Sequence, residues 1–129
     1  MNKPIVPDEI AAPVGIYSHA IEVPAGARTL HIAGQVGIRP DGSMPSDFQE
    51  QAHQAWRNVI AILKVADMGV DDLVHLNHWL VEQSDFETYA KVRAEYLGDA
   101  RPAATLMIVK DLVKPGLLVE VGGVAAKVD

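Results

Sequence analysis

Two apolar runs close the chain: residues 101–109 read RPAATLMIV, and residues 117–126 read LLVEVGGVAA. Each run is short, contains β-branched residues and is bounded by Pro or Gly, a pattern typical of a buried strand. Between them, Lys114-Pro115-Gly116 is a turn signal, because Pro fixes φ and Gly accepts positive φ. We therefore expect two strands that are joined by a tight connection.

Glu120 is the carboxylate inside these two runs. A lone carboxylate in an otherwise apolar strand is costly to bury unless it is paired or faces a wet cleft. Glu120 is therefore the first candidate for a functional side chain. The alternative is an interfacial carboxylate that accepts hydrogen bonds from the backbone or from a histidine.

Length and composition predict a single domain, residues 1–129, with 49% of its residues hydrophobic. The absence of Cys excludes disulfides, a thiolate nucleophile and a thiolate metal site. With 11 basic and 17 acidic residues, the formal net charge is −6, which disfavours nucleic-acid binding because phosphate contacts need cations. The first residues lack the apolar segment of a signal peptide, and no apolar run approaches the roughly 20 residues of a membrane-spanning helix. We expect a cytoplasmic protein that binds neither nucleic acid nor membranes.

Two capping boxes predict two helices. Ser46-Asp47-Phe48-Gln49 precedes apolar residues at helical spacing, and Gly69 is the expected C-terminal stop. Ser84-Asp85-Phe86-Glu87 opens a second helix, which ends at Gly98. Trp56 lies on the apolar stripe of the first helix, so we expect it in the core rather than in a binding site.

Three further segments read as strands: residues 15–21, 28–36 and 71–81. Gly34 interrupts the second of them, which indicates a bulge or the close approach of a ligand. The order of elements is then strand, strand, helix, strand, helix, strand, strand. This order predicts an α+β fold, a two-layer sandwich with both helices on one face of the sheet.

Alternation in the third segment puts His75, Asn77 and Trp79 on one face and His78 on the other. The two histidines therefore cannot share a metal ion, and we expect no metal site. The face with Trp79 is too apolar for open solvent and too polar for a dry core. That composition is typical of an oligomer interface.

With these residues placed, the chain resembles the YjgF/RidA/L-PSP family of small reactive-intermediate deaminases from about Pro13 to Ala126. No single motif is specific, but their order and spacing together are. The matching residues are Gly15-Ile16-Tyr17, Ala33-Gly34-Gln35, Gly42, residues 51–59, Ser84-Asp85-Phe86, Pro102-Ala103 and Val119-Glu120-Val121. The resemblance implies a chorismate-mutase-like fold with a mixed sheet. It also implies a homotrimer whose three sheets line a central barrel, with small-molecule ligands bound in clefts between subunits and no cofactor.

The best-known members of this family hydrolyse enamine/imine products of amino-acid dehydration to 2-keto acids and ammonia. Their Pro-Ala-Arg-Ser motif supplies an Arg that clamps the substrate carboxylate, but here Pro102-Ala103 is followed by Ala104 and Thr105. A Cys that often follows is Leu106, and an Asn of the second helix is Ala90. The usual imino-acid activity is therefore expected to be weak, and a carboxylate-free or larger apolar substrate is favoured.

Two other arginines are near in sequence, and neither is expected to replace the missing clamp. Arg101 would point to the opposite face of an extended chain from Ala104, and Arg93 is expected on a solvated helix face. In the arrangement that the resemblance implies, Ala104 and Glu120 lie on neighbouring strands.

The resemblance assigns candidate roles to eight residues. Glu120 is the candidate general acid/base that activates water, and Tyr17 is the second catalytic candidate. The candidate substrate-binding residues are Ala33, Gly34, Trp79, Ala104, Thr105 and Leu106. Strand or interface packing is the alternative for Tyr17, Gly34 and Thr105.

Three functions remain open from the sequence. The first is an enamine/imine deaminase with altered substrate preference, and the second is a non-catalytic trimer that binds a small metabolite. The third is a ribonuclease, which the acidic net charge disfavours.

Overall fold

Six strands and two α-helices follow one another in a computed structural model that describes residues 1–129. In chain order they are β1 (Lys3–Ile5), β2 (Ala20–Glu22), β3 (Arg28–Val36), α1 (Phe48–Val65), β4 (Leu73–Leu80), α2 (Phe86–Leu97), β5 (Ala103–Ile108) and β6 (Val119–Lys127). The predicted order of elements is confirmed from β2 onward, whereas β1 is an additional strand that was not predicted. The short β1 and β2 pair with each other as a separate antiparallel ribbon.

The main sheet has four strands in the order β3-β6-β4-β5. β6 runs antiparallel to both of its neighbours, whereas β4 and β5 are parallel, so the sheet is mixed as predicted. The expectation of a tight connection between the last two strands is wrong. β4 lies between β5 and β6, so the chain crosses from one to the other through residues 109–118.

Both helices cover one face of this sheet, which confirms the α+β fold. The core lies between the layers, where Trp56 and Val59 of α1 and Tyr89 of α2 pack against Leu76 and Val121 of the sheet. Trp56 is fully buried and stacks on the Tyr96 ring, in agreement with its predicted core position. None of the helices is long and apolar enough to cross a membrane.

The helix ends differ in detail from the capping boxes. Asp47, not Ser46, caps α1, because its side chain accepts a hydrogen bond from the Glu50 N–H. α1 ends at Val65, before Gly69, because Asp67 takes up a positive φ of 56°. A 3₁₀ turn, Gln83–Asp85, replaces the second box.

Only the end of the first predicted strand is a strand. Residues 15–19 form a loop that runs along the outer edge of β5, held by Ser18. The Ser18 N–H donates to the Pro102 carbonyl at 3.1 Å, and the Ser18 hydroxyl donates to the Arg101 carbonyl at 2.6 Å. These contacts of Ser18 with the edge of the sheet fix the loop beside β5, although the loop is not itself a strand of the sheet.

Candidate functional site

β4 separates the residues that were predicted to form one site. Ala104 pairs with Leu76, and Glu120 pairs with Trp79, three positions further along β4. Because side chains alternate along a strand, these two pairs lie on opposite faces of the sheet. The expectation that Ala104 and Glu120 lie on neighbouring strands is therefore wrong, since β4 stands between them.

The face without helices carries Glu120, Trp79 and Thr105. The register of β3 against β6 shifts between Ile32 and Gln35, so the bulge predicted at Gly34 is confirmed. A Cβ on Gly34 would overlap the Glu120 carboxylate and would lie 2.7 Å from its Cδ. The glycine is therefore needed for Glu120 to lie across the bulge.

The bulge itself depends on a second glycine. A Cβ on Gly122 would lie 2.9 Å from the Gly34 Cα and 3.0 Å from the Ile32 carbonyl oxygen. Ala33, which precedes Gly34, is exposed, and its carbonyl accepts a hydrogen bond from the Gln35 side chain at 3.1 Å.

Glu120 is half-buried and belongs to neither of the two ion pairs in the protein. Its carboxylate thus lies against Gly34 and has no cation partner in its own chain.

The helix-facing side has a cavity of about 300 Å³ at the β5 edge. It brings together three of the predicted site residues with five others. The lining residues are Val14, Gly15, Tyr17, His78, Phe86, Arg93, Ala104 and Leu106. No carboxylate lines this cavity, whereas one guanidinium does.

Tyr17 reaches the cavity because the Ser18 hydrogen bonds hold its loop against β5. Within the loop, the Tyr17 N–H donates to the Gly15 carbonyl at 3.0 Å, and the Val14 N–H donates to the Tyr17 hydroxyl at 3.4 Å. Opposite the loop, Ala104 and Leu106 of β5 form an apolar wall.

Arg93 is not on a solvated helix face, and that expectation is wrong. Its guanidinium carbon lies 6.0 Å from the Phe86 ring centroid and 5.8 Å from the Tyr89 ring centroid. A Cβ on Gly15 would lie 3.9 Å from Arg93 Nη2, so the guanidinium also lies beside the Tyr17 loop. Burial lowers the pKa of Arg93 from its ordinary value. Arg101, by contrast, is exposed and donates to the Gly98 and Ala100 carbonyls.

A buried hydrogen-bonded chain ends at the same cavity. Trp56 Nε1–H donates to the Tyr89 hydroxyl at 3.3 Å, and this hydroxyl is also bonded to His78 Nδ1. The indole is only a donor, so the Tyr89 oxygen accepts from it and the Tyr89 proton points to His78 Nδ1. A neutral imidazole that accepts at Nδ1 carries its proton on Nε2. We assign this tautomer to His78 from the network.

His78 is held neutral by its surroundings. It is 1% exposed, and burial, with Arg93 and His75 nearby, lowers the pKa of His78 from 6.5 to about 3. Burial raises the pKa of the Tyr89 phenol. His78 Nε2 and Arg93 Nε are both buried and have no hydrogen-bond partner. The cavity is therefore bordered by two donors that the protein leaves unused.

Comparisons with known proteins agree with this fold over nearly the whole chain. The family model described as Endoribonuclease L-PSP matches residues 8–127. A RutC family protein of Pyrococcus horikoshii is 32% identical, with 98% of this chain and 99% of that protein covered. The 2-iminobutanoate/2-iminopropanoate deaminase of Mus musculus is 31% identical, with 98% and 93% covered.

Solved structures give the same result. A member of the conserved Rid protein family from Yersinia pestis, YyfB, superposes with a TM-score of 0.87 at 30% identity, covering 98% of both chains. RidA from an Antarctic Psychrobacter superposes with a TM-score of 0.72 at 32% identity, covering 95% of this chain and 98% of that one.

Proposed function

Since the chain belongs to the YjgF/RidA/L-PSP family, we propose that it is an enamine/imine deaminase with an altered substrate preference, and that its site is a cleft between subunits. The observation that carries the proposal is Glu120, a carboxylate that lies across a glycine bulge and has no cation partner. The name of the mouse relative, an imine deaminase at 31% identity, supports the reaction class.

Glu120 supplies the acid/base chemistry that imine hydrolysis needs. An enamine first tautomerises to its imine. Glu120 takes a proton from water as the water oxygen bonds to the imine carbon, and the proton passes to the nitrogen. The resulting carbinolamine loses ammonia as its C–N bond breaks and its hydroxyl proton moves to the leaving nitrogen. The net reaction consumes imine and water and yields a carbonyl compound and ammonia, with no redox change.

The division of the site over two sheet faces supports an oligomer. Tyr17 and Ala104 line the cavity on the helix-facing side, whereas Glu120 lies on the opposite face. One protomer cannot bring both groups to the same substrate. Two copies can, if the β5 edge of one copy faces the Glu120 face of the next. A homotrimer closes such a heterologous contact into a ring.

The apolar wall supports a change in substrate. Ala104 leaves room where the family motif has Arg, and Leu106 and Phe86 continue into a neighbouring depression with Ile108. A substrate with an extended aliphatic or aromatic side chain has more apolar surface to bury there than one derived from alanine. We propose this preference over the small imino acids.

Hydrolysis of imines that an amino-acid oxidase generates in situ tests the function. Semicarbazide traps the free imine, so an active deaminase lowers the rate of semicarbazone formation. We expect a greater effect with leucine and phenylalanine as precursors than with alanine, and loss of the effect in Glu120→Gln. Glu22→Gln is the matched control, because Glu22 is exposed on β2. Absence of hydrolysis across the panel would refute the proposal.

A non-catalytic metabolite-binding protein is the second candidate. The observation that favours it is Ala104 at the motif position, because the carboxylate clamp of the catalytic members is missing there. Ligand-induced thermal stabilisation without hydrolysis of any imine would support this function instead.

A further inference from the structure

We propose that Arg93 of α2 is the carboxylate-binding cation of the cavity and that His78 Nε2–H is a second donor to the same ligand. The ligand class is then a 2-imino acid, or the 2-oxo acid formed from it, with an apolar side chain. The reaction in this inference rests on the proposed deaminase function, but the binding does not.

The charge of Arg93 has no counterpart in the protein. The two ion pairs join Arg28 to Asp129 and Lys127 to Asp67, and no carboxylate lines the cavity. The contacts with Phe86 and Tyr89, at 6.0 and 5.8 Å, are at the outer limit of cation–π attraction. A half-buried guanidinium with a buried, unpartnered Nε gains most from an anion that enters the cavity.

Arg93 enters the space that the strand residue leaves empty. Ala104 pairs with Leu76 on the helix-facing side of the sheet, so its short side chain points into the cavity below α2. Arg93 lines the same cavity from α2. The clamp is therefore relocated from a strand to the facing helix. The expected loss of carboxylate binding assumed that Arg93 lies on a solvated helix face, so it does not follow.

His78 adds direction to this site. Its Nδ1 is occupied by the Tyr89 hydroxyl, so the proton on Nε2 is fixed and cannot be satisfied within the chain. Leu106, which pairs with His78, is apolar and offers it no acceptor. A carboxylate or carbonyl oxygen in the cavity satisfies this donor, and a neutral donor does not compete with Arg93 for charge.

Binding of 2-oxobutanoate, measured by isothermal titration calorimetry on the full chain, tests the inference without turnover. Wild type is expected to bind 2-oxobutanoate more tightly than butanone, which lacks the carboxylate. Arg93→Met removes the charge but keeps an unbranched apolar stem, and we expect it to weaken 2-oxobutanoate binding about 30-fold or more. Arg93→Lys keeps the charge but not the planar fork, so a smaller loss of about 3- to 10-fold is expected.

Arg57→Met is the matched control, because Arg57 is exposed on α1 and loses the same charge away from the cavity. Unchanged affinity in Arg93→Met, or equal binding of 2-oxobutanoate and butanone by wild type, would overturn the inference. If Arg93→Met does not fold, the Arg93→Lys comparison decides. If the protein hydrolyses imines but its affinity for 2-oxobutanoate does not depend on Arg93, the deaminase function stands and Arg93 is not the carboxylate-binding residue. If 2-oxobutanoate binding depends on Arg93 but no imine is hydrolysed, the binding role of Arg93 stands and the deaminase function is refuted.

Tyr89→Phe tests the second donor. Loss of the phenol removes the bond that fixes the proton on His78 Nε2, so both tautomers become populated. We expect the ¹⁵N shifts of the His78 ring to move towards the tautomer average and 2-oxobutanoate binding to weaken by about 3-fold or more. A purely structural role lowers stability without changing the ring shifts. Unaltered shifts with unaltered affinity would remove His78 from the site.

Discussion

Ala104 and Glu120 lie on opposite faces of the sheet, with β4 between their strands. An arginine introduced at position 104 therefore meets Arg93 in the cavity and not Glu120 of the same chain. The sequence motif draws attention to position 104, but only the strand order shows that Arg93, and not Glu120, is the charged neighbour of this position within the chain.

Ala104→Arg is accordingly expected to destabilise the unliganded protein. Two guanidinium groups about 6–8 Å apart repel by about 2–3 kcal/mol at an effective dielectric of 20, less what solvent screens at the open end of the cavity. Urea unfolding at fixed protein concentration measures the change in the free energy of unfolding, and 2-oxobutanoate is expected to offset it. Ala104→Met adds comparable volume without charge. Equal destabilisation in both variants would mean that crowding, not charge, is responsible.

Local periodicity explains why most of the fold was predictable. The apolar stripe of α1 and the alternation in β4 each follow from the face that the element buries, and the bulge follows from a glycine inside a strand. Strand neighbours are non-local, so nothing in residues 101–126 states that β4 separates the last two strands. The capping residue of α1 was misplaced by one position for a similar reason: two adjacent polar residues can both cap, and geometry selects Asp47.

The position of Arg93 beside the cavity was not predicted, although the sequence contains a signal for it. Phe86, Tyr89, Ala90 and Arg93 recur at i, i+3, i+4 and i+7, so they share one face of α2 with the buried Tyr89. Its charge suggested a solvated face, but the spacing placed it with the apolar residues. His78 was placed on the correct face from alternation. Its partner Tyr89 lies on another element, so the pairing was not accessible from the pattern of β4 alone.

A homotrimer is expected in solution, with three times the 13.9 kDa mass of one chain. Trp79 and its neighbours are half-buried on a sheet face that no helix covers, and a partner sheet removes this apolar surface from water. Trp79→Asp places a charge there and is expected to shift the protein towards monomer in sedimentation velocity. Val65→Asp is the control, because Val65 is 91% exposed on α1. A monomeric wild type at micromolar concentration would contradict the shared site.

The stability of the protein is expected to decrease as the pH is lowered, because of His78. Burial first, and then Arg93 and His75, lower its pKa from 6.5 to about 3, so between these values the unfolded chain binds a proton that the folded chain excludes. The contribution of His78 to the free energy of unfolding is then fully present above pH 6.5, and it decreases by about 2 kcal/mol on acidification to pH 5. Urea unfolding at pH 7.5 and pH 5.0 measures it.

His78→Gln removes the titrating group while it keeps an acceptor for the Tyr89 hydroxyl, so the decline is expected to be about 2 kcal/mol smaller in this variant. His31→Gln serves as the control, because His31 is exposed on β3. The same decline in wild type and His78→Gln would assign it to other groups.

Gly34→Ala is expected to remove activity while the fold is retained. The new methyl group would occupy the position of the Glu120 carboxylate, and the atoms that it meets belong to the end of a flexible side chain rather than to backbone. Glu120 therefore rotates away, and the group that we propose activates water is displaced at modest cost in stability. We expect imine hydrolysis to fall by about 100-fold, within the range of a single general acid/base contribution, with the urea midpoint little changed.

Gly69→Ala is the matched control, since a Cβ at Gly69 meets no atom within 4 Å and its φ is −134°. Glu120→Gln and the double variant Gly34→Ala/Glu120→Gln complete a cycle. If the methyl group acts only by displacing Glu120, it has no further effect once the carboxylate is gone, and the double variant hydrolyses imines as slowly as Glu120→Gln. Losses that multiply in the double variant would mean that Gly34 contributes separately, through the backbone N–H groups of the bulge.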